Sequence, residues 1–563
     1  MSTFLRVDMT NLKVVLEDSP PEYEWLGGRG LTARILNREV PPTSHPLGKH
    51  NKIIFAPGLL GGSHFPSSGR LSVGFKSPLT QGIKETNAGG TAAGKLGRLG
   101  IKAIILEGQP ADTKLYLLKV TKDGATILPA DDLAGLTNYA TVNKLRQAHG
   151  KDVAVISIGA PGEMKMSTAT VACTDMDGRP ARHAARGGPG AVMGSKRIKA
   201  VIIDDTGTKP VGAKNAEALR NLVKEYAKFL DESKGAGLTR AYGTLGGLAW
   251  VSDYNHSLPV RNFTSGQFEG ASKIGSKSAV AALISQGSKW SHPCMPGCIL
   301  HCSNVVVDRE GRYITSGLEY ETGAMLGANL GIDDIYAIAA MGGLSDDYGL
   351  DTVEVGATLG LAVDAGLMKF GDSARAMALI NEIGQGTTLG RILGQGVAVT
   401  ARAFGISRVP VVKGQAIPAH DPRVENATGV TYCTSAMGAD HTAALVLKRK
   451  TTPAEAVEAS RQTQINVAIV DSLGLCSNAI MFVAFPMERV TEIFNAQYGS
   501  NLSYEDMQEM AKEVLKEERA FNLKAGFTPS ADRLPEYCKE EPYPPSNLVF
   551  DVPDSEIDSF WDF

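Results

Sequence analysis

The chain has 563 residues, 43% of them hydrophobic and 21% charged, with a formal net charge of −3; these proportions exclude a disordered chain, and the near-neutral balance excludes a general nucleic-acid binder. No run of about 20 apolar residues suits a membrane span, and no basic-then-apolar leader opens MSTFLRVDMTNLK. Seven cysteines are too few and too uneven for a disulfide framework, so a cytoplasmic, reduced setting is expected, in which crowded cysteines usually mean metal.

In chain order, residues 1–205 read as a β-rich domain. LKVVLED, NKIIFAPG, KAIILEG, KLYLLKV, VAVISIG and KAVIID are short apolar runs punctuated by Gly and Pro. Between them lie three segments dense in small and basic residues: SSGRLSVGFKSPLTQ, ETNAGGTAAGKLGRLG and GRPARHAARGGPGAVMGSKRIKA. Glycine lets backbone amides approach an anion and arginine binds phosphate with two parallel bonds, so together they imply a buried anionic cofactor, although each alone is also what turns between strands look like. GAVMGSK fails as a Walker A loop because the order is Gly194-Ser195-Lys196. GGRGLTA lacks the strand–turn–helix context and acidic partner of a dinucleotide site.

Residues 206–410 read as a helical domain, with NAEALRNLVKEYAKFLDE, VAALISQG, IDDIYAIAAMGGLSDDYG, TVEVGATLGLAVDAGLM and SARAMALINEIG. A loop-rich joint is expected over about 405–435. Residues 411–563 read as a second helical domain built on TPAEAVEASRQTQINVAIVDSLG, with a proline-bearing acidic tail over 540–563 expected to wrap a surface or move. The fold class is therefore α+β: a β-rich base followed by two mainly helical domains.

Cys294, Cys298 and Cys302 form C-x3-C-x3-C in HPCMPGCILHCSN, and Cys476 lies far off in DSLGLC. Thiolates hold cubane iron–sulfur clusters, usually four of them and often three local with one distant. Two other readings stand beside this one: zinc, which usually takes paired cysteine units, and buried structural cysteines. Cys173, Cys433 and Cys538 are scattered and read as core. DDYGLD at 346–351 and DSLGLC at 471–476 both fit D-x-x-G-L-[DC] at the end of a helical stretch. A glycine C-cap explains one copy alone. A pair suggests more, because a carboxylate accepts two parallel N–H bonds from a guanidine-like edge such as a pterin presents.

With these blocks taken in order, and with GGRGLTARIL, EYETGAMLGANLGI, HDPR and GADH between them, the chain resembles the aldehyde:ferredoxin oxidoreductase family over essentially its whole length. The resemblance implies a tungsten or molybdenum centre held by two molybdopterins, a Mg2+ ion bridging the pterin phosphates, and one [4Fe–4S] cluster. It also implies that electrons pass to ferredoxin or an iron–sulfur subunit. Residue by residue, Arg70 matches a phosphate-binding arginine, Asn87 a magnesium-facing carbonyl, and Gly89 a close pterin contact. Arg182, His183 and Ala185, with Arg186 adjacent, match the second phosphate and magnesium contact. Asp346 and Leu350 match contacts to one pterin, Asp471 and Leu475 to the other, and Cys294, Cys298, Cys302 and Cys476 match the cluster ligands. The chain departs from the family in its x3 cysteine spacing, its shorter length, and the absence of E-x-x-H over 332–348. That last departure removes one route to metal-linked dimers; an oligomer of another kind remains possible.

The resemblance also implies Glu321, in E-Y-E-T, and His441, in G-A-D-H, as the acid–base pair. Glu321 would take a proton and His441 would polarise an aldehyde oxygen, with Glu319 the neighbouring alternative to Glu321. His420 could line the substrate pocket, and His292 and His301 flank cluster cysteines. The expected activity is oxidation of an aldehyde, including a sugar aldehyde, to the acid. The alternatives are a family member with another substrate, such as a benzoyl-CoA-type ring reductase, and a non-enzymatic iron–sulfur relay.

Overall fold

The structure is a computed structural model and describes residues 2–563. Two six-stranded sheets form the N-terminal part. The first holds Thr3–Asp8 (β1), Lys13–Asp18 (β2), Ile53–Pro57 (β3), Leu71–Lys76 (β4), Ile83–Ala88 (β5) and Ile101–Glu107 (β6), in the order β2-β1-β6-β3-β4-β5. The second holds Tyr116–Thr121 (β7), Gly124–Pro129 (β8), Ala154–Ser157 (β9), Val171–Cys173 (β10), Arg182–Ala184 (β11) and Ile198–Ile203 (β12), in the order β11-β10-β9-β12-β7-β8. The six apolar runs read from the sequence are all strands here. β3 and β12 have every residue buried. This is why they read as continuous apolar runs and not as an alternation.

The sheets share one core, with Leu5, Phe55 and Val73 of the first packed with Leu118, Ile156 and Val201 of the second. The outer face of each is closed by a helix: Gly28–Glu39 over the first and Asn138–His149 over the second. The two sheets thus form a rigid base with a helix on each side, and their free edges, β5 and β11, lie beside each other.

From residue 216 onward the chain is mostly helical. A small sheet of Lys289–His292 (β13), Ser303–Val307 (β14) and Tyr313–Ser316 (β15) interrupts it at the cysteine loop. The helix Pro453–Leu473 starts at a reciprocal cap in which Thr452 and Glu455 satisfy each other's backbone amides. Its 21 residues span about 31 Å and deliver Asp471 and Cys476 to the base. The stretch expected as a joint contains a helix, Asn426–Thr434, all nine of whose residues are buried; with no polar face it shows no amphipathic stripe. The tail is pinned by Phe550, Val552, Ile557 and Phe560, all buried. No helix among the described residues is long and apolar enough to cross a membrane.

Candidate functional site

A cavity of about 750 Å³ opens over the seam between β5 and β11. Edge strands leave backbone groups unpaired, and Ala88 of β5 with Arg182 and His183 of β11 line the cavity at this seam. Arg182, the first residue of β11, is buried, yet its Nε and one terminal nitrogen have no partner in the protein. Arg70 reaches the same cavity, donating from Nε to Asn87 Oδ1 at 2.7 Å and from a terminal nitrogen to the Asn87 carbonyl at 3.2 Å. Two guanidiniums at the floor of one cavity, one with buried donors to spare, fit an anionic guest such as a phosphate. Gly89 keeps this floor open: a Cβ there would lie 3.3 Å from both the carbonyl oxygen and Sγ of Cys294.

Both D-x-x-G-L segments end helices, at Gly349 and Gly474, each in the left-handed conformation. The glycine-cap reading and the binding reading are thus compatible, because each aspartate sits in the last helical turn, three residues before the capping glycine. Asp346 lines the cavity, accepts one hydrogen bond from Thr315 Oγ1 at 3.0 Å, and lies 3.5 Å from His183 Nε2. Burial lifts its carboxyl to about 7, against the pull of Thr315 and Arg182. Asp471 is also raised, by burial and by nearby Glu85. It accepts from Asn87 Nδ2 at 3.2 Å and lies 3.5 Å from Arg29. Two buried carboxylates short of donors fit a guest with a guanidine-like edge. Leu350 lines the cavity, whereas Leu475 packs in the apolar cluster around the cysteines.

Cys294, Cys298, Cys302 and Cys476 are free, buried and gathered in one apolar cluster, although 174 positions separate Cys302 from Cys476. Cys294, Cys302 and Cys476 line the cavity. Cys294 is drawn below the usual thiol range, first by a hydrogen bond from Cys298 and, against burial, by Arg182 and Arg70. Thiolate character is what a metal ligand needs. Among the described residues no three His, Cys, Asp or Glu side chains converge on a point suited to a single ion. Four cysteines gathered beside the cavity, three from one loop and one distant in sequence, are the donor set that a cubane takes.

Glu321 enters the cavity on the helix Tyr320–Met325. Its Oε2 accepts the Ala419 amide at 2.9 Å. Its Oε1 is buried without a hydrogen-bond partner, 3.4 Å from His441 Nε2 and 3.7 Å from His420 Nε2 but not aligned with either. The two histidines are pushed apart. Burial lowers His441 despite Glu321. Burial also penalises His420, but Glu425, 3.2 Å from its Nδ1, and then Glu321 outweigh it and raise the ring. Two imidazoles shifted in opposite directions and facing one carboxylate oxygen form an acid–base arrangement. Glu319, the near alternative, accepts from Thr244 Oγ1 at 2.6 Å and lines the same cavity.

The remaining expected residues do not all reach the site. Arg186 lies away from it: Nε pairs with Asp351 at 3.3 Å, one terminal nitrogen donates to Ala439 O at 3.0 Å, and the other to Ala416 O at 2.8 Å and Glu354 at 3.3 Å. With every nitrogen engaged within the protein, it holds the first D-x-x-G-L segment in place. His183 lines the cavity, but its ring is held by Thr170 at 2.7 Å and the Pro180 carbonyl at 3.0 Å, and burial lowers it to about 4. It can offer backbone and not charge. Ala185 lines the cavity, and the Asn87 carbonyl faces Arg70. Sequence reasoning passed over Arg29, buried and bidentate to Glu518 at 2.8 and 2.9 Å, although GGRG was in view as a glycine motif. It also passed over Glu425, which carries no motif.

Two family models match the chain: "Aldehyde ferredoxin oxidoreductase, N-terminal domain" over residues 4–205 and "Aldehyde ferredoxin oxidoreductase, domains 2 & 3" over 221–560. A tungsten-containing aldehyde ferredoxin oxidoreductase of Pyrococcus abyssi is 33% identical over 96% of this chain and 91% of its own length. The WOR-like subunit of an aliphatic sulfonate oxidoreductase from Pyrococcus furiosus is 28% identical over 93% of this chain and 86% of its own. Among solved structures, the active site complex BamBC of benzoyl coenzyme A reductase with 1,5 dienoyl-CoA matches in fold, with a TM-score of 0.81 at 19% identity. That match covers 100% of this chain and 93% of the other.

Proposed function

The chain belongs to the aldehyde ferredoxin oxidoreductase family, and from that premise we propose that it oxidises an aldehyde to the carboxylic acid using a tungsten or molybdenum bis-molybdopterin, with electrons leaving through a [4Fe–4S] cluster. The observation that carries this reading is one cavity lined at once by Arg70 and Arg182, Asp346, three of the four clustered cysteines, and Glu321 with His441. Arg70 and Arg182 would hold the pterin phosphates, and Asn87 and Ala185 would supply carbonyl contacts for a Mg2+ ion. Asp346 and Asp471 would each take a pterin edge. Cys294, Cys298, Cys302 and Cys476 would hold the cluster. When bound, the metal supplies the two-electron acceptor and the cluster passes electrons on singly, to ferredoxin or an iron–sulfur subunit.

The protein's own part is proton handling and orientation. Aldehyde plus water gives carboxylic acid, two electrons and two protons. Glu321 Oε1, buried and without a donor, takes the proton from the attacking water. His441, whose proton affinity burial lowers, donates a hydrogen bond to the aldehyde oxygen. His420, whose proton affinity Glu425 raises, stands beside the same carboxylate as a second donor toward the developing negative charge. The aliphatic sulfonate relative indicates that substrates vary within the family, so the substrate must be measured. A relay protein without a catalytic cofactor has no use for a cavity of this size lined by an acid–base pair.

The test is anaerobic purification from cells grown with tungstate and molybdate, then metal analysis, pterin release and aldehyde-dependent reduction of a viologen dye. Iron with neither tungsten, molybdenum nor pterin overturns the reading.

A further inference from the structure

The cavity's inner end is charged, but its outer rim is apolar. Leu238, Trp250, Leu447 and Phe482 all line it, and their exposures are 50%, 52%, 37% and 52%. Large apolar side chains held in water and gathered at one opening mark a recognition surface, not core. They come from four separate places in the chain: the helix Lys234–Tyr242, the turn Leu248–Trp250, the segment after His441, and the segment after Cys476. The two aromatics adjoin the two π-helical turns of the described residues. Trp250 precedes Val251–Asn255, and Phe482 ends Asn478–Phe482. Widened turns of this kind are rare and concentrate at functional sites, because they re-aim a side chain the regular helix would point elsewhere. Lys277 is the one exposed charge among the lining residues, and its ammonium lies 5.5 Å over the Tyr242 ring. Apart from Lys277, the exposed side chains of the lining are these four apolar ones, which offer a polyhydroxylated substrate no hydrogen bonds.

We propose that this mouth selects aldehydes carrying an aryl or long alkyl arm, with Trp250 and Phe482 as the specificity-determining residues and Leu238 and Leu447 completing the apolar wall. This rests on the reading of the cavity as an aldehyde-oxidising site. The carbonyl would reach Glu321 and His441 while the arm covers the exposed rings. Small aldehydes would leave those rings in water, and sugar aldehydes would set hydroxyls against the apolar side chains.

The test compares kcat/KM for phenylacetaldehyde and hexanal with that for acetaldehyde and glyceraldehyde, using the metal-loaded enzyme and a viologen acceptor. The phenylacetaldehyde value is expected to exceed the acetaldehyde value by at least about tenfold, the worth of burying part of one ring. Trp250→Ala should lower that ratio by about tenfold, and Leu238→Ser by less. Phe482 lies close to Cys476, so Phe482→Ala is scored only on protein with wild-type iron content. A general loss of folding lowers both rates and leaves the ratio alone. Preference for acetaldehyde or glyceraldehyde overturns the proposal, and so does a ratio that Trp250→Ala does not move; the latter would assign the rim to a protein partner. If no aldehyde is turned over, the functional reading fails separately, and binding still decides the mouth. In that case 2-phenylethanol must bind more tightly than ethanol and lose the difference in Trp250→Ala.

Discussion

The two D-x-x-G-L segments are one backbone device used twice for different ends. Thr170 donates its amide to the Gly349 carbonyl at 2.9 Å, and Arg70 donates its own to Gly474 at 3.0 Å. The amide of Asp351 goes to Thr168 O at 3.0 Å, and that of Cys476 to Ser67 O at 2.9 Å. Each docking requires a glycine in the base. A Cβ on Gly159 would lie 2.0 Å from Tyr348 O, and one on Gly58 would lie 2.0 Å from Gly474 N. The side chains then diverge. Asp351 caps the next helix at the Val353 amide, 2.9 Å away, and pairs with Arg186, whereas Cys476 joins the other cysteines. The first segment is tied to the helix carrying Glu321 through Thr322 and Thr352, 3.1 Å apart. The first copy thus braces the proton-handling side of the site, and the second the proposed electron exit. What the repeat conserves is a backbone dock, and function resides in the sixth residue and the surroundings.

Exchanging the roles of the sixth residue gives the largest expected effect. Cys476→Ser should remove most of the iron and the reduced-state EPR signal, because a distant cubane ligand is lost. Asp351→Asn should keep both while costing about 1–3 kcal/mol of stability through the weakened cap and Arg186 pair. Equal iron in the two variants would dissolve the comparison.

Next in size is a separation of proton from electron work. Glu321→Gln keeps shape but removes the base, so kcat should fall by about 10²–10⁴-fold. Tungsten, pterin and iron should stay at wild-type levels, because Glu321 has no part in the arginine, aspartate or cysteine sets. Full activity would move the role to Glu319; loss of tungsten with activity would make Glu321 structural.

The two aspartates sharpen the contrast further. Asp471 already faces Arg29 and Asn87, whereas Asp346 has a single hydroxyl donor. A guest's N–H pair should therefore contribute more at Asp346. Asp346→Asn should weaken cofactor retention by about 10–100-fold, the worth of hydrogen bonds to a charged group. Asp471→Asn should weaken it less. Metal-to-protein ratios after dialysis would read the difference, and the reverse ranking would refute it.

Much of this was legible in the sequence, for identifiable reasons. Buried strands such as KAVIID announce themselves because every residue must be apolar. The cysteine set and paired motifs are chemically specific enough to be read without coordinates. What escaped was decided by long-range pairing. Arg186 sits in a basic, glycine-rich run and reads like its neighbour Arg182. It differs only in that Asp351, Glu354 and two carbonyls meet it from far along the chain. Glu425 raises the proton affinity of His420 with no motif of its own. The helix Asn426–Thr434 is hidden because full burial erases amphipathic periodicity.

The smallest expected effect tests the cost of keeping Asp346 ready. Its carboxyl moves from an ordinary 3.8 to about 7 on folding, mainly through burial. A raised carboxylate binds its proton more tightly in the folded state, so between those values unfolding releases a proton. Stability from this group is then fully present below pH 3.8 and is lost as pH rises through about 7. In protein expressed without tungstate or molybdate, raising the pH from 5 to 7.5 should therefore lower Tm through this residue, by roughly 2–4 °C. Asp346→Asn mimics the protonated form and should remove that part of the slope, making the cofactor-free variant more stable than wild type at pH 7.5. The substitution that weakens cofactor retention should thus stabilise the empty protein, the opposition expected of a group kept for binding and not for folding. If Tm has the same pH slope in both proteins, Asp346 is already paired within the protein, and the two copies of the motif are less different than their surroundings indicate.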